Sequence, residues 1–270
     1  MKIISIGETT IDYYLRQNLT FVGGISLNFA VHAKRSGAEQ VSLVSCVGND
    51  GDERRVFATL AQEGIDSSQV AVVAGKTAVC AIEVHDNADR IFPEGGYHLH
   101  VLRQLTLSDT TIAAICQHDI MVSMYQGDWP GPLIDQLLHL PTFTGKRVLD
   151  FGDWSGGYIK TDALPALSAV DLAFISGDAA TVAAMQPLAA TLPGLIVVTL
   201  GAAGSVALAK EGKVWQTAVS VPTPVDSTGC GDAFQAAFTV NYFRDGDIAK
   251  ALAKGSAQAA GVLQHFGAFQ

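Results

Sequence analysis

Apolar and polar positions divide this chain into two regimes. From Ser108 onward, short apolar runs alternate with stretches of helical period. Residues 119–124, 146–151, 172–176 and 195–200 read as buried strands, and 108–117 and 131–140 as helices between them. That alternation predicts a parallel sheet with helices on both faces. Residues 2–6 and 40–47 predict two earlier buried strands, each leading into a helix, one ending at Gly37 and the other at Gly64. The stretch 70–100 has a different character. Residues 78–85 and 90–92 are β-rich and flank Asp86-Asn87-Ala88-Asp89, the pattern of a hairpin. A second hairpin is expected over 205–209 and 213–216, and an Ala-rich helix over 248–263.

Composition narrows this picture. With 49% hydrophobic residues in 270, the chain can bury a large core as one main domain with a small appendage. A net charge of −9 without a basic run argues against nucleic acid and anionic membranes as partners. The apolar run at the start is too short for a signal peptide, and no segment approaches a membrane span, so a cytoplasmic location is expected. Cys46, Cys80, Cys116 and Cys230 have neither metal-type nor redox-type spacing, which fits a reducing compartment. Asn18-Leu19-Thr20 matches a glycosylation sequon only by chance in such a chain.

The chemistry concentrates in Val225-Asp226-Ser227-Thr228-Gly229-Cys230-Gly231-Asp232-Ala233-Phe234. Phe234, Ala237, Phe238, Asn241 and Tyr242 recur at helical spacing and predict a helix with one buried face, with Asp226, Ser227 and Thr228 as cap-type residues before it. A glycine-rich turn opening a helix offers free backbone N–H groups and the positive end of the helix dipole to an anion. The same field should keep Asp232 ionised, so that it can accept a proton. Anion cradle and base within four residues point to phosphoryl transfer onto a hydroxyl. No Gly-x-x-x-x-Gly-Lys-Ser/Thr run exists, so a P-loop kinase is excluded.

Asp226-Ser227-Thr228-Gly229-Cys230-Gly231-Asp232 resembles the signature of the PfkB (ribokinase-like) carbohydrate kinases, usually Asp-Thr-x-Gly-Ala-Gly-Asp. Gly23-Gly24-Ile25-Ser26-Leu27-Asn28-Phe29-Ala30 resembles the N-terminal signature of that family, with Ser26 as an expected N-cap. Residues 82–92 resemble its fructoselysine 6-kinase branch. The resemblance implies a three-layer α/β/α sandwich over residues 1–270 as a single kinase domain, with a small β-sheet lid from about 9–22 and 75–103. It implies Asp232 as base, with the N–H groups of Gly229, Cys230 and Gly231 on the transferred phosphoryl group. Asp12, Gly23, Gly24 and Asn28 would meet the sugar, with Arg90 and Tyr97 as further substrate contacts. Thr199, Gly201 and Gly204, together with Gly229 and Gly231, would line ATP. Mg²⁺ is the implied metal, and Asp226 is a candidate for a monovalent cation such as K⁺. The family's Asn-x-x-Glu, which organises the Mg²⁺-bound phosphates through water, is missing. Ser176-Gly177-Asp178-Ala179 stands there, with Asp178 as the stand-in.

The expected activity is ATP-dependent phosphorylation of a primary hydroxyl, with fructoselysine or another fructosamine, phosphorylated at O6, as first acceptor. Fructose, another ketose or a nucleoside is the alternative. A reading of a different class is a catalytically weak sugar-binding sensor, suggested by the missing Asn-x-x-Glu; retention of Asp232 and its glycines argues against it. The lid edge could also bury against a second copy in a homodimer.

Overall fold

A computed structural model describes residues 1–125 and 131–270. In chain order the elements are β1 (Lys2–Ile6), β2 (Thr10–Tyr14), β3 (Leu19–Gly23), α1 (Ile25–Arg35), β4 (Gln40–Gly48), α2 (Asp52–Glu63), β5 (Asp66–Val73), β6 (Val79–Val84), β7 (Arg90–Ile91) and β8 (Tyr97–His98). Then come α3 (Asp109–Ile115), β9 (Ile120–Met124), α4 (Gly131–Leu138), β10 (Lys146–Asp153), α5 (Leu164–Ser168), β11 (Leu172–Ser176), α6 (Ala179–Ala189), β12 (Leu195–Thr199), β13 (Ser205–Ala209), β14 (Gly212–Gln216), α7 (Cys230–Asp245) and α8 (Ile248–Val262).

Nine strands form the main sheet in the order β14-β13-β12-β11-β10-β9-β1-β4-β5. From β12 to β5 every neighbour is parallel; β13 and β14 add an antiparallel hairpin at one edge. The sheet has this form because its strands are apolar on both faces, and each face needs a cover. Successive residues sort to opposite sides. Ile3, Val148, Phe174 and Val197 pack with α1, α2, α7 and α8, while Ile4, Leu149, Ile175 and Val198 pack with α3 to α6. The result is three layers.

A second sheet, β3-β2-β6-β7 with β8 on β6, stands beside this sandwich. Its strands come from the stretches expected to form the small sheet. Strand β2 enters it directly from the end of β1, so the second sheet is anchored at the carboxyl ends of the parallel strands. In open α/β sheets ligands gather at those ends.

Three expectations change here. Helix α7 has no single buried face: Asp232 to Asn241 are buried without a break. It is a central helix enclosed by α1, α8 and the sheet, so helical periodicity in hydrophobicity fades. Its N-cap is Gly229 with φ 78°, and no side chain caps it, so Asp226, Ser227 and Thr228 do not act as caps. Likewise α1 is capped at Gly24, not Ser26; the Ser26 hydroxyl instead accepts the Glu8 N–H at 3.1 Å.

Candidate active site

The glycine turn before α7, the carboxyl ends of β1, β10, β11 and β12, and the inner face of the second sheet line one cleft of about 1080 Å³. Asp12, Gly24, Asn28, Arg90, Tyr97, Thr199, Gly201, Gly204, Gly229, Cys230, Gly231 and Asp232 all border it. Three residues expected at the site do not: Gly23, Asp178 and Asp226.

Asp232 sits in the first turn of α7, 9% exposed. The Asn28 side-chain amide donates to its Oδ2 at 2.8 Å. Burial pushes its carboxyl up to about 7, against the lowering effect of Asn28, and the nearby carboxylates Asp150 and Glu8 raise it further. The helix field was expected to keep it ionised; burial instead pushes it toward its neutral form. A carboxylate that titrates near neutrality is well matched to proton abstraction. Asn28 has a second feature. Its Oδ1 is buried without a hydrogen-bond partner among the described residues, and Asn28 borders the cleft. A buried acceptor left open there is ready for a hydroxyl donor.

Among the described residues, the N–H groups of Gly229 and Gly231 have no partner, whereas that of Cys230 is directed to the Ser227 carbonyl at 3.3 Å. Cys230 is thus the weakest of the three expected anion donors. Its thiol donates to the Ala259 carbonyl, and burial pushes its pKa up to about 12, which leaves it inert as a nucleophile. A Cβ on Gly231 would meet nothing within 4 Å, so the cleft is open beside it.

Arg90 lies next to this turn. Its guanidinium donates to the Ser227 carbonyl at 3.0 Å and rests 5.4 Å from the Phe92 ring centre. Among the substrate contacts expected of the second sheet, Arg90 therefore stands at the glycine turn. Tyr97 does face the other end: its hydroxyl donates to Glu8 Oε1 at 2.5 Å.

Glu8 was not singled out by sequence reasoning. Glu8 follows β1, accepts the Ile25 N–H as well as Tyr97, and is pushed up by burial. Asp12 on β2 accepts the Thr10 hydroxyl at 2.7 Å and is pushed up to about 7, chiefly by burial. Asp150 near the end of β10 borders the cleft, and desolvation raises it too. The only available signal was positional: an acid at the carboxyl end of a parallel strand.

The glycines expected to admit sugar have other duties. A Cβ on Gly23 would overlap the Asp12 carboxylate, and one on Gly24, whose φ is +101°, would come 2.7 Å from Thr9 Cα and 2.8 Å from the Glu8 carbonyl oxygen. They let β3 and α1 close onto the two acids. Asp178 is the N-cap of α6: its carboxylate accepts the Thr181 and Gly156 N–H groups at 2.9 and 2.8 Å. Both oxygens are engaged in capping α6 and holding Gly156, and Asp178 itself does not line the cleft. At the far end, Thr199 Oγ1 lies 3.2 Å from the Ser176 hydroxyl, and Gly201 has open space where a Cβ would be.

The three-layer α/β architecture with a second small sheet is the ribokinase-like fold. Adenosine kinase from Sinorhizobium meliloti superposes with a TM-score of 0.85 at 17% identity, covering 100% of this chain and 95% of its own. A probable sugar kinase from Rhizobium etli gives 0.86 at 16%, covering 99% and 94%. Within that class, residues 2–270 match the pfkB family carbohydrate kinases, and the chain belongs to that family. It is 32% identical to a fructoselysine 6-kinase of Escherichia coli (strain K12) over 99% of both chains, and 27% identical to a fructosamine kinase of Bacillus subtilis (strain 168) over 100% of this chain and 93% of the other. Four free cysteines are present, and among the described residues no helix is long and apolar enough to cross a membrane.

Proposed function

We propose that the protein transfers the γ-phosphoryl group of ATP to the primary hydroxyl of a fructosamine, with fructoselysine phosphorylated at O6 as first acceptor. The observation that carries the reaction is Asp232 beside the unpaired N–H groups of Gly229 and Gly231, with Asn28 holding its carboxylate. Asp232 takes the hydroxyl proton as that oxygen attacks phosphorus and the bond to the leaving ADP breaks. The two N–H groups and the Arg90 guanidinium face the charge that builds on the transferred group. Asp12, and the open Oδ1 of Asn28, orient the sugar.

The rest of the cleft is assigned to ATP: Gly201 and Gly231 have open space where a Cβ would be, and Thr199 ends β12 just before Gly201. Among the described residues no three His, Cys, Asp or Glu side chains gather as a metal cage. That suits Mg²⁺, which is usually held by one or two carboxylates together with substrate phosphates. Asp150, which borders the cleft, is the carboxylate that would hold it. When bound, the metal offsets phosphate charge.

The sugar-amine reading draws on the relatives and on charge. Glu8 and Asp12 are buried at the sugar end, and neither forms an ion pair among the described residues. Burial pushes both carboxyls up and favours their neutral forms; a neutral ketose leaves that unchanged, whereas the ammonium of a fructosamine would draw them to the ionised form and pair with them. ADP release with Mg·ATP should therefore be highest with fructoselysine among fructosamines, fructose, ribose, tagatose and nucleosides. A higher kcat/KM for fructose, or saturable binding without ADP release, would overturn the assignment.

The raised Asp232 carboxyl sets a pH profile. Only its deprotonated form accepts the hydroxyl proton, so kcat/KM should fall as pH drops through about 7 and level off above it. Asp12 titrates in the same range. The acid limb should therefore persist in Asp12→Asn. A flat profile in that variant would move the base assignment from Asp232 to Asp12.

A further inference from the structure

Asp226 precedes the glycine turn and has no exposed surface. Its two carboxylate oxygens accept four donors. Oδ1 takes the Thr228 N–H at 2.9 Å and the Thr228 hydroxyl at 2.7 Å; Oδ2 takes the Tyr14 hydroxyl at 2.6 Å and the Gly267 N–H at 3.0 Å. A buried carboxylate must be compensated by a cation or by hydrogen bonds. Here neutral donors do it, and each oxygen faces the positive ends of two of them. A monovalent cation placed on either oxygen would sit against those hydrogens. The donor set does not fit the cation that the sequence resemblance suggested.

The partner that replaces it is Tyr14. It is 1% exposed, and its ring is wedged edge-on between Phe21 and Phe266, with centroids at 5.3 and 5.9 Å. It lies on β2 two residues after Asp12, so both side chains project from the same face of one strand. Asp12 borders the cleft; Tyr14 reaches the residue that anchors the glycine turn. One short strand thus ties the sugar end of the site to its phosphoryl end. Gly267 brings the C-terminal segment into the same knot, and His32 fixes that segment by bonding the Ala268 carbonyl at 2.8 Å.

We propose that the Tyr14–Asp226 hydrogen bond takes the place of a monovalent cation in holding the glycine turn, that Tyr14 is a positioning residue for phosphoryl transfer, and that the enzyme works without K⁺. The activity part rests on the kinase reading above; the cation part does not.

The test compares KCl, NaCl and tetramethylammonium chloride at equal ionic strength, in wild type and Tyr14→Phe, reading both melting temperature and ADP release. Wild-type melting temperature should be the same in all three salts. A protein with an occupied K⁺ site would gain roughly 5 °C or more in KCl by mass action, and that gain in wild type overturns the proposal whether or not any acceptor is phosphorylated. Tyr14→Phe should lower kcat by about tenfold or more, the usual scale for losing a hydrogen bond to a charged group, with the sugar KM little changed. It should also gain a melting-temperature response to K⁺, which a merely structural role would not produce. Wild-type kcat in Tyr14→Phe removes the positioning role. If that variant does not fold, the wild-type salt comparison still decides the cation question. Absence of ADP release with every acceptor, alongside salt-independent melting, would overturn the kinase reading and the positioning role with it, and leave the cation inference standing.

Discussion

Asp232→Asn is expected to lower kcat by about 10²–10⁴, the range for removing a positioned general base. The change keeps the shape of the side chain and a contact with Asn28, so the melting temperature should not fall. It should rise slightly at alkaline pH. The Asp232 carboxyl is raised to about 7, above its unfolded value, mainly by burial. Folding therefore favours its protonated form, and ionising it inside the fold costs stability as pH rises through about 7. An amide carries no such cost. Activity and stability should thus move in opposite directions, as expected of a group kept for chemistry. The sugar KM should change little, because Asp12 and Asn28 still face the acceptor. Equal losses in kcat and in melting temperature would mean that Asp232 is a structural residue, and near-full kcat would remove it from the mechanism.

Much of the site could be read from sequence because its parts are local. The glycine turn and Asp232 lie within a few residues, and turn glycines before a helix have a direct physical meaning. Asp12 and Asn28 follow the first strand and the first helical turn, where an α/β sheet gathers ligands. The parallel order of β12 to β5 follows from two-sided apolar strands.

What could not be read was tertiary. Asp226 meets Tyr14 from 212 residues away and Gly267 from 41. No local pattern states that pairing, so Asp226 was open to reading as a cation ligand. The role of Asp178 as the cap of α6, within three residues of Thr181, is by contrast local. Arg90 was expected among the substrate contacts, but its bond to Ser227, 137 residues away, is a tertiary contact no local pattern states. Glu8 is a single acid at a strand end, indistinguishable in sequence from a solvated one.

Gly229→Ala is expected to cost both stability and activity, and the cause can be separated from a general intolerance of change. Gly229 has φ +78°, a conformation that costs an L-residue about 1–2 kcal/mol. A Cβ there would also overlap that of Ala268 and approach Ala268 Cα at 2.8 Å. Ala268 is 2% exposed, and its carbonyl is bonded to His32, so it cannot simply withdraw. Overpacking at such a place adds about 1–3 kcal/mol. At about 2–4 °C per kcal/mol, the summed loss should lower the melting temperature by several degrees or more. The displaced turn would misdirect the Gly229 and Gly231 N–H groups, and kcat should fall by about 10²–10³, the scale for losing one oxyanion donor. The double variant Gly229→Ala/Ala268→Gly removes the nearest clash but not the approach to the Ala268 backbone or the positive φ. It should recover part of the melting temperature and part of kcat. A double variant no better than Gly229→Ala alone would show that backbone conformation, not the contact with the C-terminal segment, fixes glycine at this position.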